Sequence, residues 1–215
     1  TLESIAKEIS EVPALIGCLE TASSDQKGRP LYNAVAWCES GTIQTYGRKC
    51  LLPNYDVFDE ERYFEPANKP LVYQWNKQRI GITICEDIWT DAQVQTSKRY
   101  CNDPVEILSK ENLDLLVNLS ASPWHIQKEH SRQNLIEQVS HRLKCPVVYC
   151  NSVGGNDELI FDGDSFITHP SKGIIAQMPK FEPALSLFDI ETSTLTTTES
   201  KNSDSPLKNT YDALV

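Results

Sequence analysis

The chain has 215 residues, 40% hydrophobic and 23% charged, with a formal net charge of −10 and a pI near 4.9. Such a length fits one domain that buries roughly 70% of its unfolded surface. The Lys and Arg residues are scattered among acids, which leaves no basic footprint for a nucleic acid, and no apolar run is long enough to cross a bilayer. The first residues, Thr1-Leu2-Glu3-Ser4, offer neither the basic nor the apolar region of a signal peptide, nor an initiator methionine, so the chain reads as a fragment or a processed product.

In chain order, residues 2–9 read as a helix that Pro13 bounds. Ala14–Cys18 reads as a strand, and the polar run 21–30 as an exposed loop. Tyr32–Cys38 and Thr42–Gly47, separated at Gly41, read as a hairpin. Residues 48–66 form a long irregular segment whose aromatics Tyr55, Phe58, Tyr63 and Phe64 argue against disorder. Leu71–Trp75 and Ile80–Ile84 make a second hairpin. A short helix is expected over 104–110, a strand over 113–120 and a clear helix over 128–144, where Leu135, Val139 and Leu143 recur at helical spacing. Val147–Asn151 is a buried strand, 154–158 a polar loop, and 165–168 with 174–176 a last hairpin. Residues 192–209, rich in Ser, Thr, Asn and Lys, read as a linker. Strands alternating with helices, plus hairpins, indicate a layered α/β domain.

Seven cysteines without a CxxC pair disfavour zinc ribbons and thioredoxin-type redox chemistry, and free thiols fit a reducing cytosol. One of them, Cys85, stands where a nucleophile could. In Gly81-Ile82-Thr83-Ile84-Cys85-Glu86-Asp87-Ile88-Trp89 a buried strand stops at Cys85 and acids follow at once. A thiol at a sharp strand end can face a pocket, as a nucleophile must, although burial as a small apolar filler is the commoner fate of a cysteine. A Cys–His pair is open by inventory, since His125, His130, His141 and His169 are present; no local signature supports it, and the same holds for a metal site on these histidines.

Four blocks, Arg48–Phe64, Gly81–Trp89, Asn118–Trp124 and Val153–Gly163, occur in an order that resembles the nitrilase (carbon–nitrogen hydrolase) superfamily, and within it the glutaminase domains of glutamine-dependent NAD synthetases. The resemblance implies a nitrilase-like α-β-β-α sandwich over residues 1–191 and a linker over 192–215 toward an ATP-dependent synthetase domain. It implies Cys85 as nucleophile and Lys49 as its lysine partner. Tyr55, Ser122 and Lys128 would grip glutamine, Glu60 would be a second acid near the centre, and the Glu86 backbone N–H an oxyanion donor. It implies no cofactor for this domain, ATP and magnesium for the synthetase, glutamine and the synthetase domain as partners, association into a homo-oligomer, and a cytoplasmic location without nucleic-acid or membrane partners.

Each role has a plainer competitor. Lys49 would ordinarily be a solvated lysine, Tyr55 could pack on Phe58, Ser122 before Pro123 suits a turn or cap, and Lys128 starts a helix where a cation is mildly disfavoured. The family's glutamate base, on a strand near the N-terminus, has no match here, so the sequence predicts a domain missing its first strand. Asp164 stands where relatives often have glycine. A stand-alone amidase or carbamoylase, and an inactive fragment acting through protein contacts, are the competing functions.

Overall fold

A computed structural model of the protein describes residues 1–25, 27–89, 100–126, 128–191, 194–195 and 205–214. In chain order the elements are α1 (Leu2–Glu8), β1 (Ala14–Thr21), β2 (Leu31–Glu39), β3 (Thr42–Arg48), a 3-10 turn at Glu60–Arg62, β4 (Leu71–Trp75), β5 (Gln78–Ile84), a 3-10 turn at Cys85–Ile88, α2 (Pro104–Leu108), β6 (Leu115–Ser120), α3 (Lys128–Leu143), β7 (Val147–Asn151), β8 (Val153–Asn156), β9 (Leu159–Asp162), β10 (Phe166–His169), β11 (Gly173–Gln177), β12 (Phe188–Asp189), β13 (Thr194–Leu195) and α4 (Pro206–Leu214). They fall into two compact units, Thr1–Gln74 with Gly81–Glu111 and Trp75–Ile80 with Asn112–Val215.

In the first unit β1, β2 and β3 form an antiparallel sheet, with Ala14 opposite Cys38 and Thr21 opposite Leu31. Leu2, Ala6 and Ile9 recur at helical spacing, so α1 lays one apolar stripe on this sheet against Ala36, Cys38, Ile16 and Ile43. The middle strand is buried on both faces: Ala34 and Ala36 point one way, Val35 and Trp37 the other. On that second face Trp37 stacks with Tyr73 of β4, ring centres 4.5 Å apart. Gly47 permits the close approach, since a Cβ there would stand 3.1 Å from Leu71 Cβ.

In the second unit β6 and β7 are parallel, Leu116 opposite Val147 and Ser120 opposite Asn151, joined through α3. β10 adds antiparallel to β7, and β11 to β10. The buried face of α3 carries Leu135, Ile136, Val139 and Leu143 as expected, but also Arg132 at 1% exposure. The helix stops because Lys144 turns left-handed (φ 58°) and the Ser140 hydroxyl donates to the Cys145 carbonyl at 2.8 Å.

Two stretches differ from the sequence expectation. Residues 154–158, read as a polar loop, belong to the hairpin β8–β9, with Asn156 opposite Leu159 and Asp157 at φ 51° in the turn. Glycines in β8 erase the apolar alternation that announces a strand, while the turn residue tolerates a positive φ. In the stretch read as a linker, residues 192–193 and 196–204 lie outside the described residues, whereas Pro206–Leu214 is helical. Ser205 precedes Pro206 as an N-cap, accepting from the Lys208 N–H at 3.5 Å, and Lys208 pairs with Asp212 one turn on.

None of the seven cysteines is in a disulfide. Burial, then the charge of Asp114, pushes the Cys145 thiol up to about 12. Cys145 is therefore expected to resist iodoacetamide in the native protein at about pH 8, where the exposed Cys101 and Cys150 are open to the reagent; peptide mapping by mass spectrometry reads all three.

Candidate active site

Strand β5 runs buried to Ile84, and Cys85 then takes φ 43°, a left-handed backbone that costs a non-glycine residue about 1 kcal/mol or more. The chain turns at once into the 3-10 turn Cys85–Ile88, closed by the Trp89 N–H on the Glu86 carbonyl at 2.8 Å. Cys85 is thereby only partly buried, whereas Glu86, Asp87 and Ile88 after it are buried. The sharp strand end that a nucleophile needs is present, and strain is concentrated at the thiol-bearing residue.

Lys49 follows β3 and is not a surface lysine: it is 2% exposed. Its backbone is fixed on both sides, the N–H donating to the Asn33 carbonyl and its carbonyl accepting from Ala67, each at 2.9 Å. Its ammonium donates to Glu60 Oε1 at 2.5 Å, and the Asn33 amide donates to Glu60 Oε2 at 3.1 Å. Burial opposes the charge on Lys49, but Cys85, Glu60 and Asp87 together outweigh it and hold the ammonium above the ordinary lysine range. The lysine is thus a permanent cation whose field falls on Cys85.

Glu60 begins its own 3-10 turn in the long irregular segment, its N–H held by the Pro53 carbonyl at 3.0 Å. The same segment delivers Tyr55, which meets Phe58 edge-on with ring centres 5.8 Å apart, so the packing role is real. It is not the whole role, because the Tyr55 hydroxyl donates to Glu86 Oε1 at 2.7 Å. Tyr100 donates to the same oxygen at 3.1 Å. Asp87, fully buried, accepts backbone N–H groups: Oδ1 from Cys50 and Leu51, both at 2.9 Å, and Oδ2 from Ile84 at 3.0 Å.

The first unit therefore brings together Cys85, Lys49, Glu60, Tyr55 and Glu86. Ser122 and Lys128 belong to the second unit. Ser122 is 3% exposed, and its N–H donates to Asn151 Oδ1 at 2.9 Å. The Trp124 N–H donates to the Ile160 carbonyl of β9 at 2.6 Å, and Lys128 Nζ reaches back to the Pro123 carbonyl at 2.8 Å. Asn151 in turn donates to Asp162 Oδ1 at 3.1 Å. Arg132 binds Asp162 through two nitrogens at 3.0 and 2.8 Å and Asp164 at 2.8 Å. A buried chain of polar groups thus runs from α3 to the Ser122 loop. Asp164 sits at φ 49°, the conformation that favours glycine; its carboxylate uses the position to meet Arg132 and the Gln177 amide. A cavity of about 520 Å³ in this unit, lined by Tyr149, Phe166, Met178 and Phe188 among others, has neither Ser122 nor Lys128 in its wall.

All four histidines lie in the second unit, and His125, His130 and His141 are exposed. Among the described residues of its own unit, Lys49 is a cation whose charge acts with Cys85. Sequence reasoning missed Asn33, Tyr100, Asp87, Asn151 and Arg132. Asp87 lay inside the motif itself, but adjacency to Cys85 says nothing of where its carboxylate points. A charged residue inside the apolar stripe of α3 was the available signal for Arg132.

A family model described as carbon–nitrogen hydrolase matches residues 10–199. The chain is 40% identical over 187 residues to the glutamine-dependent NAD(+) synthetase of Synechocystis, covering 87% of this chain and 34% of that protein. It is 38% identical over 160 residues to the enzyme of the same name from Thermotoga maritima, covering 74% of this chain and 26% of that one. The structure of glutamine-dependent NAD+ synthetase from Acinetobacter baumannii superposes with a TM-score of 0.83 at 30% identity, covering 99% of this chain and 38% of that one. A carbon–nitrogen hydrolase from Helicobacter pylori shares the fold at TM-score 0.66 and 17% identity, covering 85% of this chain and 63% of that one. The chain spans about a third of the length of the curated relatives it matches.

Removing either centre's counter-charge leaves a buried cation or buried anions without compensation. Glu60→Ala is expected to lower stability by about 3 kcal/mol and Arg132→Met by about 3–5 kcal/mol, read by urea unfolding. Because the folded pKa of Lys49 is raised, its share of stability is complete below the unfolded value of about 10.4 and is lost only as pH rises through the higher folded value. The Glu60→Ala deficit should therefore stay constant across neutral pH.

Proposed function

This chain belongs to the carbon–nitrogen hydrolase family, and from that premise we propose that, as part of the whole protein, it hydrolyses the side-chain amide of glutamine through a thioester on Cys85. The ammonia released serves ATP-dependent synthesis of NAD from nicotinic acid adenine dinucleotide in the whole protein. Residues 1–191 form the glutaminase domain, and residues 192–215 lead toward the synthetase domain. ATP and magnesium act in the synthetase step, and the amide hydrolysis needs no cofactor. The observation that carries the reading is the buried Lys49 ammonium held by Glu60 with its field on Cys85.

The residues divide the work. A free thiol has a pKa of about 8.5, and the adjacent fixed cation favours its thiolate. The Cys85 sulfur attacks the carboxamide carbon, and the oxygen becomes negatively charged. Lys49 and the Glu86 backbone N–H, the first donor after the nucleophile, stabilise that oxyanion; one such donor contributes about 3 kcal/mol in a dry site. The C–N bond breaks as the nitrogen takes up the proton that the Cys85 thiol gave up, ammonia leaves, and a glutamyl thioester remains. Water then attacks the thioester carbon, the C–S bond breaks, and glutamate leaves with the thiol restored. Glu60 keeps Lys49 charged and in place. Tyr55, oriented by Glu86 in the same unit as Cys85, grips the glutamine.

In the full-length protein, Cys85→Ala is expected to abolish ammonia release from glutamine while NAD synthesis from added ammonium persists. Glutamine-supported synthesis that survived this substitution would overturn the assignment. A panel of other amides and carbamoyl compounds separates the reading from a stand-alone amidase, which would turn over those and not glutamine. Covalent labelling of Cys85 by an oxo-norleucine analogue of glutamine separates it from a non-catalytic domain. Tyr55→Phe should raise the KM for glutamine about 10-fold with a smaller change in kcat, as expected for one lost hydrogen bond near a charged group.

A further inference from the structure

We propose that Asp87 is the positioning residue of this centre: its carboxylate locks the Lys49 segment to the Cys85 turn, and so sets the register in which ammonium and thiol meet. The proposal rests on the reading of Cys85 as nucleophile and adds a residue that takes no part in the chemical steps above.

The geometry is specific. Three backbone N–H groups converge on one carboxylate, those of Cys50 and Leu51 on Oδ1 and that of Ile84 on Oδ2. Cys50 and Leu51 directly follow Lys49, and Ile84 directly precedes Cys85. These two backbone segments come from distant parts of the chain, 36 and 37 residues from Asp87 on one side and 3 on the other. The carboxylate is therefore a clamp between the lysine and the nucleophile. It is also the local support for the left-handed backbone at Cys85, since it holds the residue before the strained one and belongs to the 3-10 turn that follows it.

The group is kept at a cost to stability. Asp87 is fully buried, and desolvation drives its pKa up to about 6, against the pull of the Ile84 and Leu51 N–H groups, the Lys49 ammonium and the Cys50 N–H. Because the folded value lies above the ordinary 3.8, its share of stability is complete below the unfolded value and is lost as pH rises through about 6. At neutral pH the carboxylate is ionised at a net penalty to folding. Among the described residues, Lys49 and the Cys50 thiol are titratable groups that act on it, the latter pushed up by burial and then by this charge. A residue retained against its own desolvation, with both oxygens bound to the backbone beside the two reacting groups, has the chemistry of a positioning device.

The sign of one measurement decides. Asp87→Asn keeps the shape but sets an amide NH2 against at least one of the three N–H donors. Removing a negative charge beside the thiol would, by Coulomb attraction and repulsion alone, make the Cys85 thiolate easier to form. Loss of the Lys49 register makes it harder. In the full-length protein, the pH midpoint of iodoacetamide alkylation at Cys85, followed by peptide mapping with exposed Cys101 and Cys150 as internal references, is expected to rise in Asp87→Asn. The kcat for ammonia release from glutamine should fall about 100-fold with KM nearly unchanged, the size expected for a misplacement of about 1 Å. Asp87→Glu, which keeps the charge and displaces it, should behave like Asp87→Asn. A midpoint that falls or stays, or an Asp87→Glu protein with wild-type kcat, overturns the proposal.

A second substitution covers the case in which the Asp87 variants do not fold. Replacing Leu51 by its α-hydroxy acid removes one N–H from the clamp and leaves every side chain intact. The Cys85 midpoint should again rise and kcat fall; unchanged values overturn the proposal. The alkylation readout does not use glutamine. If the wild-type protein releases no ammonia from glutamine, the proposed function fails while the midpoint still decides the role of Asp87.

Discussion

The buried ammonium of Lys49 sets the terms for the first unit. An isolated charge in a protein interior is prohibitively unfavourable, so the surroundings must answer it. Glu60 supplies the direct ion pair, and Asn33 fixes the far oxygen of that carboxylate. The two hydrogen bonds of the Lys49 backbone hold its Cα in place, so the long side chain has little freedom to swing away from Cys85. The irregular segment 48–66 follows from the same demand. It must leave β3, bring Glu60 back to the lysine and hand Tyr55 to Glu86, and regular structure cannot do all three within so short a run.

The second unit solves a similar problem with an arginine in place of the lysine. Arg132 is buried between two carboxylates, Asp162 and Asp164, with Gln177 and Asn151 taking up remaining acceptor capacity. Burial disfavours the guanidinium charge, and the hydrogen bonds and charge of Asp162, with Asp164 behind it, more than restore it. The network's consequence is local order: Asn151 is left with its carbonyl oxygen facing the Ser122 N–H. In both units a buried cation organises acids, and those acids or their neighbours position backbone near candidate site residues.

Much of the fold was legible because its elements obey simple periods. The hairpin β2–β3, the pair β4 and β5, the strand β7 and the helix α3 all carry apolar spacing that matches their geometry, and each lies where the sequence places it. The hairpin β8–β9 was not legible, since glycines hide its alternation and its stability comes from neighbours such as the Trp124 loop. Helix α4 was hidden by Ser, Asn and Thr, residues that favour caps and turns until a proline and an i,i+4 ion pair tip the balance. The sequence expectation of a single domain rests on length, and length says nothing of how contacts partition into the two units.

The sequence by itself determined which residues are candidates for the chemistry. A cysteine closing an apolar strand, a lysine before Leu-Pro-Asn-Tyr, and the order of four blocks are properties of the one-dimensional chain and survive any detail of packing. Only the tertiary structure decided what each acid does. Glu86 and Asp87 are neighbours in the chain, yet one accepts from two tyrosines and the other from three backbone N–H groups. The physical reason is the 3-10 turn that holds both: at three residues per turn, successive side chains point about 120° apart, into different surroundings. The motif Cys85-Glu86-Asp87 is, in three dimensions, a thiol on a left-handed backbone, followed by one acid that meets two tyrosines and one that binds the backbone of two separate segments.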